Sequence, residues 1–315
     1  MAKPTLLIVW GYGWAASSPL AYTLQRSNKY CHGGYTKGFY YPSLTVNPNR
    51  VSNIESYKDL ILTNTWENYK SNGGHRMNLP QDLEPLRDYP LEVFAEFSEK
   101  PYTLEKYINY YYTLWETVKP HGFKAVADFS GFSWRQQSLD EIQNIDWSTL
   151  HEYFNLKGIF ITRDPIRRAF SEVLARNLKY TKGSGDYTDL KDIINAAKDY
   201  VEFFDIAKSK IPDTQMFSME ELWEGTGKEL KRLSTFLDYP ITELWTNLYA
   251  PDIGHHLRYD IRVPCQHHGQ ADAELTPEMY KQYLKDFSPI YNRYRKRFGI
   301  LPRYWGRPIN YNNNL

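Results

Sequence analysis

The chain has 315 residues, 42% hydrophobic and 24% charged, the balance of a globular protein with a sizeable core. A net charge of +1 argues against a surface that holds DNA or RNA by charge alone, so no nucleic-acid partner is expected. Two cysteines, Cys31 and Cys265, are too few for a disulfide framework and form no Cys-x-x-Cys pair; free thiols are expected rather than one bridge.

Leu6 to Trp10 is an apolar run stopped by Gly11, which reads as a buried strand of parallel type. The run is too short for a secretory core, and none approaches the roughly 20 residues of a membrane span, so a cytoplasmic protein without a membrane partner is expected. Ser18-Pro19 opens a helix to about Ser27, with Leu20 and Leu24 on one face. Residues 28–78, rich in Gly, Asn, Pro and Tyr, read as loops and short strands around a site. Residues 81–98 and 102–119 read as helical, and 124–129 and 158–162 as the second and third strands. A helix opens at Asp164-Pro165, and 189–209 carries an amphipathic helical pattern. Gln215-Met216-Phe217 reads as a fourth strand leading into helical segments at 219–224 and 227–237. Thr276-Pro277-Glu278 has the chemistry of a cap and first turn for a helix near 277–298, interrupted or kinked at Pro289. Strands alternate with helices without a linker or repeat. The expected fold is therefore α/β: a P-loop-like, mostly parallel sheet with helices on both faces, one domain over 1–315.

Two strand-to-helix junctions have the chemistry of anion sites. Between the first strand and first helix, small residues let backbone N–H groups approach a ligand. Ala16, Ser17 and Ser18 are the candidate contacts, since a helix start offers unpaired N–H groups and a positive dipole end. The alternative is that Ser18 only caps the helix and the glycines only make the turn. No Gly-Lys-Ser/Thr is present, so this is not a Walker A loop. Gly11-x-Gly13-x-x-Ala16 fits a dinucleotide fingerprint superficially, but Pro19 would then lie inside the helix, at a cost of about 3 kcal/mol.

The second junction is Ile159-Phe-Ile-Thr-Arg163-Asp-Pro-Ile-Arg167-Arg168-Ala-Phe-Ser171. Arg163 stands at a strand end, and Arg167 and Ser171 are one turn apart on the same helix face, so guanidinium and hydroxyl can converge on a tetrahedral anion. The alternative is an exposed basic first turn that pairs with Glu172.

This segment resembles the 3′-phosphate motif of sulfotransferases that use 3′-phosphoadenosine 5′-phosphosulfate (PAPS), with Arg163 and Ser171 at its phosphate-binding positions and Arg168 at its second arginine. Trp14-Ala-Ala-Ser-Ser-Pro-Leu20 is similar to the 5′-phosphosulfate loop of that family, with Ser17 and Ser18 at its hydroxyl positions. Asp128-Phe-Ser130, Met219-Glu-Glu-Leu222, Leu233-Ser-Thr-Phe-Leu237 and Leu284 to Gly299 resemble further family elements in the right order. The resemblance implies PAPS as donor, no metal, and transfer of a sulfuryl group to a hydroxyl on a small molecule or glycan.

The pattern departs from the family at two catalytic positions. Trp14 stands where the loop lysine is normally found, and Lys37-Gly38 keeps the lysine of a Lys-Glu pair but lacks the carboxylate. Lys37 is the candidate for the missing positive charge, and His32, His75 or Asp128 for the base. His255-His256 and His267-His268 have no complete metal-ligand spacing, so no metal is expected. Arg293-Tyr-Arg-Lys-Arg297 either approaches the 3′-phosphate or is a solvated helix face. Residues 73–79 and the run Tyr107 to Tyr112 either line an acceptor cleft or, for some of the tyrosines, fill the core. The readings competing with a sulfotransferase are an NAD(P)-dependent oxidoreductase using Gly11-x-Gly13, and a non-catalytic nucleotide- or glycan-binding protein.

Overall fold

The computed structural model describes residues 3–12, 15, 20, 24, 30–32, 90, 92–93, 96, 103–128, 139–180, 190–223, 228–241 and 275–308. Five strands, β1 (Thr5–Trp10), β2 (Tyr30–His32), β3 (Ala125–Asp128), β4 (Asn155–Thr162) and β5 (Thr214–Ser218), form one sheet in the order β2-β3-β1-β4-β5. All four pairings are parallel, with Ile8 beside both Asp128 and Gly158 at the centre. The helices whose course is described are α1 (Leu104–Val118), α2 (Leu139–Gln143), α3 (Trp147–Tyr153), α4 (Pro165–Tyr180), α5 (Leu190–Asn195), α6 (Tyr200–Lys210), α7 (Met219–Trp223), α8 (Lys228–Leu237) and α9 (Pro277–Phe298).

The period of two along β1 divides the core. Leu6, Ile8 and Trp10 point to one face, where Phe160 of β4 and residues of α1, α4, α6 and α9 join them. Leu7 and Val9 point to the other, with Ile159, Ile161, Phe217, Leu222 of α7 and Leu230 and Leu233 of α8. Strands covered on both sides become continuous apolar runs, which is why 6–10 reads so plainly as a strand. Each fully buried Leu or Ile contributes about 1.5–3 kcal/mol to this arrangement.

The C-terminal helix starts as its sequence dictates: the Thr276 hydroxyl accepts from the Met279 N–H at 3.2 Å, and Pro277 occupies the first turn. It is one element that runs through Pro289 rather than an interrupted one. Tyr280, Tyr283, Phe287, Ile290, Tyr291 and Tyr294 bury a single face, which outweighs the roughly 3 kcal/mol cost of an interior proline. The single helix expected over 189–209 is instead two, α5 and α6. Asp199 makes the break by capping α6, its carboxylate accepting from the Val201 N–H at 3.0 Å. The apolar pattern misleads because Ile193 and Ala196 before the break and Tyr200, Phe203 and Ala207 after it enter the same core cluster.

Helices α2 and α3 have no counterpart in the sequence reading. Asp146 caps α3 through the Thr149 N–H at 3.1 Å, and the buried Trp147 indole donates to the Ile142 carbonyl at 2.9 Å, tying the two together. In α1, Tyr107, Tyr110 and Tyr111 are buried with Leu114, so these tyrosines are core. Tyr112 is the exposed one.

Candidate functional site: the crevice beyond β1 and β4

Adjacent strands β1 and β4 send their chains to opposite faces of the sheet. Leu20 and Leu24, helical residues after β1, pack with Leu7 and Val9. Ile166, Ala169, Phe170 and Val173 of α4 pack with Leu6, Ile8 and Trp10 on the other side. Diverging connections leave a crevice at the carboxyl ends of the two strands, the usual place for a ligand in an open parallel sheet. The junction after β4 stands at this point, and of the junction after β1 the described residues are Gly11, Tyr12, Ala15 and Leu20.

At the β1 end, Gly11 has a φ of +146°, and a Cβ there would lie 2.7 Å from the Ile161 carbonyl oxygen. Glycine is needed for this close approach to β4. The Ala15 N–H closes a turn onto the Tyr12 carbonyl at 3.2 Å, and the Tyr12 hydroxyl donates to the Asp199 carbonyl at 2.9 Å. Burial raises this phenol to about 12, with the Arg168 charge opposing the rise. Ala16, Ser17 and Ser18 lie outside the described residues, as do Lys37 and His75.

At the β4 end the sequence-selected residues meet. Arg163 and Ser171 are both buried, and Arg163 Nη1 donates to Ser171 Oγ at 2.8 Å. Asp164 caps α4, its Oδ1 accepting from the N–H groups of Ile166 at 3.0 Å and Arg167 at 3.2 Å. Arg167 packs over the Tyr280 ring and donates to the Arg307 carbonyl at 3.3 Å. Arg168 forms a 2.8 Å ion pair with Glu172 and donates to the Ala196 carbonyl. The pairing with Glu172 thus occurs, but the first turn is not an exposed basic face: Arg163, Arg167 and Arg168 are each at most 2% exposed. Three buried carboxylates, Asp164, Glu172 and Glu220, balance the three guanidinium charges, which holds these long side chains in place before any ligand arrives.

The composition of this hub was not legible in the sequence. Glu220 Oε1 accepts from the Asp164 N–H at 2.6 Å, while Oε2 accepts from the Ser218 hydroxyl at 2.8 Å and the Trp305 indole at 3.2 Å. The Tyr200 hydroxyl donates to the Arg163 carbonyl at 2.8 Å. The Gly306 N–H donates to Asp164 Oδ2 at 3.1 Å, so residues 303–307 fold across the start of α4. The Asp-Pro cap and the segment Met219-Glu-Glu-Leu222 were visible separately, but not their meeting: Glu220 and Gly306 lie 56 and 142 residues from Asp164 in sequence.

Glu220 is held above its ordinary carboxyl value, chiefly by burial and then by the Asp164 charge. The folded protein therefore keeps this proton to a higher pH than the unfolded chain. Stability is expected to fall as pH rises from the ordinary carboxyl range through the raised value. Urea midpoints taken upward from pH 4.5, the group's ordinary value, check this. Glu220→Gln should flatten the slope, and an unchanged slope would exclude Glu220 as its source.

Because the strands are parallel, their carboxyl ends form a row: His32 closes β2, Asp128 closes β3, Gly11 follows β1 and Arg163 follows β4. Asp128 is buried, and its Oδ2 accepts from the hydroxyl of Tyr107, one of the core tyrosines, at 2.6 Å. The histidine pairs 255–256 and 267–268 lie outside the described residues. In the basic tract, Arg293 pairs with Asp199 and Arg297 with Asp205 at 2.8 Å. No helix among the described residues is long and apolar enough to cross a membrane.

The sheet order, with helices on both faces, defines a parallel α/β protein whose switch point carries the buried Arg163. No family model matches the sequence, and no curated protein does either. Among solved structures the chain is similar to the sulfotransferase domain of the Synechococcus PCC 7002 olefin synthase, with 15% identity, a TM-score of 0.39 and 80% of each chain covered. It is also similar to the sulfotransferase STF9 of Mycobacterium avium, with 14% identity, a TM-score of 0.41, and 96% of this chain and 78% of that one covered.

Proposed function

We propose that the chain transfers a sulfuryl group from PAPS to a hydroxyl acceptor, with a carbohydrate as the acceptor class. The observation that carries this reading is the buried Arg163–Ser171 pair, 2.8 Å apart at the switch point. A guanidinium and a hydroxyl held this way suit a dianionic phosphate oxygen set, and they occupy the two phosphate positions of the motif that the sequence resembles. Arg163, Ser171 and Arg167 would hold the 3′-phosphate, and Ala16, Ser17, Ser18 and nearby amides the 5′-phosphosulfate. The acceptor oxygen forms a bond to sulfur as the bridging oxygen of the donor leaves with its phosphate. The acceptor proton passes to a base, for which Asp128 and His32 stand at the ends of β3 and β2, with His75 the third candidate. Lys37 would offset charge spreading over the transferred group.

The dinucleotide reading is disfavoured by the sheet. The dinucleotide-binding order sets the second strand beside the first, whereas here β3 lies beside β1 and β2 ends at His32, not at an acid that could hold a ribose. The non-catalytic reading draws on Trp14 replacing the loop lysine.

Calorimetric titration with 3′-phosphoadenosine 5′-phosphate, beside NAD and ATP, separates these readings. Wild type is expected to prefer the 3′-phosphonucleotide, and Arg163→Ala to weaken it at least about tenfold, with Ser171→Ala less affected. Thermal unfolding of both variants guards against simple loss of fold. A preference for NAD, or no binding, overturns the proposal. Binding without turnover on a panel of hydroxyl acceptors leaves a binding protein.

A further inference from the structure

A basic groove borders the buried hub and shares Ser218, Trp305 and Gly306 with it. Along the outer edge of β5, the start of α8, the end of α9 and the segment 299–307 enclose a groove of about 860 Å³, within the size range of small-molecule sites. Arg163, Arg167 and Ser171 are not among its lining residues.

Its lining carries more basic than acidic side chains. Of its two acids, Glu229 is taken by Arg232 at 2.7 Å, and Glu221 accepts the Arg303 backbone N–H at 3.0 Å. Arg232 also lies 4.0 Å over the Phe217 ring and donates to the Met216 carbonyl on the sheet edge, so it is a structural cation. Lys228, Arg295 and Arg307 come from three separate elements to line the same groove, and among the described residues none has a carboxylate partner. Among the described residues, the Arg295 side chain reaches the Asn292 amide oxygen at 3.3 Å. Its neighbours on α9 differ: Arg293 and Arg297 are each paired with an aspartate. With 37 acidic residues against 38 basic ones in the chain, this excess does not reflect general basicity. Like charges gathered in one concavity repel until an anion joins them.

We propose that this groove binds a compact ligand carrying two or more sulfate or phosphate ester groups, held by Lys228, Arg295 and Arg307. The inference stands apart from the donor reading, since the side chains of Lys228, Arg295 and Arg307 are not among those which that reading places on the nucleotide.

The test is calorimetric titration at about 0.15 M ionic strength with sucrose octasulfate and inositol hexakisphosphate, beside sucrose and inorganic sulfate. At least one polyanion should bind about tenfold or more tightly than inorganic sulfate, and sucrose should not bind. The tighter of the two polyanions identifies the ester. The triple variant Lys228→Gln/Arg295→Gln/Arg307→Gln, all on exposed side chains, should lose at least about tenfold in polyanion affinity. Its affinity for 3′-phosphoadenosine 5′-phosphate should stay within about twofold, a margin below the worth of one charged contact. Polyanion binding no tighter than sulfate, or unchanged in the triple variant, overturns the proposal. So does a parallel loss of nucleotide binding, which would make the groove part of the donor site. Failure of the donor reading shows separately, in the response to Arg163→Ala.

Discussion

Asp164→Ala is expected to lower the unfolding free energy by about 4 kcal/mol, the scale for breaking a buried charged network. The Asp164 carboxylate serves five donor groups. Beyond the two N–H groups of α4, it accepts from the Tyr280 hydroxyl at 2.8 Å, the Tyr291 hydroxyl at 3.0 Å and the Gly306 N–H at 3.1 Å. One side chain thus ties α4, α9 and the segment after α9 into a single unit. Burial, and then the Asp164 charge, pushes both phenols well above their ordinary range, so they remain donors at any working pH. Alanine would strand the three N–H groups in a buried region and leave the two phenols only each other, 3.2 Å apart. Asp164→Asn keeps one accepting oxygen and should cost about half as much. Chemical denaturation measures both. A loss below about 1 kcal/mol for alanine would mean that water replaces the carboxylate and the hub is not closed.

Gly158→Ala is expected to cost about 3 kcal/mol, at the upper end for overpacking a core. A Cβ at 158 would lie 2.2 Å from Thr214 Oγ1, 3.0 Å from Thr214 Cβ and 2.9 Å from the Trp10 indole nitrogen. None of these can retreat cheaply. Gly158 sits between Ile8 and Thr214 in the sheet, and the Thr214 hydroxyl already donates to the Ile211 carbonyl at 2.5 Å. Trp10 is packed against Trp147 and Phe203. Thr214→Ala removes the worst contact, so the double variant should be more stable than the sum of the single changes by at least about 1 kcal/mol. Strict additivity would show that the sheet shifts as a whole instead.

The two junctions around the crevice illustrate what a linear reading can reach. Arg163 and Ser171 are eight positions apart on a strand end and the helix it feeds, so local geometry alone brings them together. Asp164-Pro165 announced its cap in the same way. By contrast, Glu220, Tyr200, Tyr280, Tyr291 and Trp305 come to the same point from four other parts of the chain; Glu220 and Tyr291 fall in segments that resemble family elements, but nothing local shows that the five meet. The run Tyr107 to Tyr112 shows an ambiguity that local sequence leaves open. Aromatic residues can face a ligand or fill a core, and only packing decided that Tyr107 is buried with its hydroxyl on Asp128.

By itself the sequence determined the parallel α/β class, most strand and helix positions and the pairing at the end of β4, because hydrophobic period and capping act over a few residues. Tertiary structure alone decided the sheet order β2-β3-β1-β4-β5, the break at Asp199, the buried hub and the cationic groove. These depend on which distant segments share a face, and that is settled by how the whole chain buries its apolar surface and satisfies the polar groups it takes out of water.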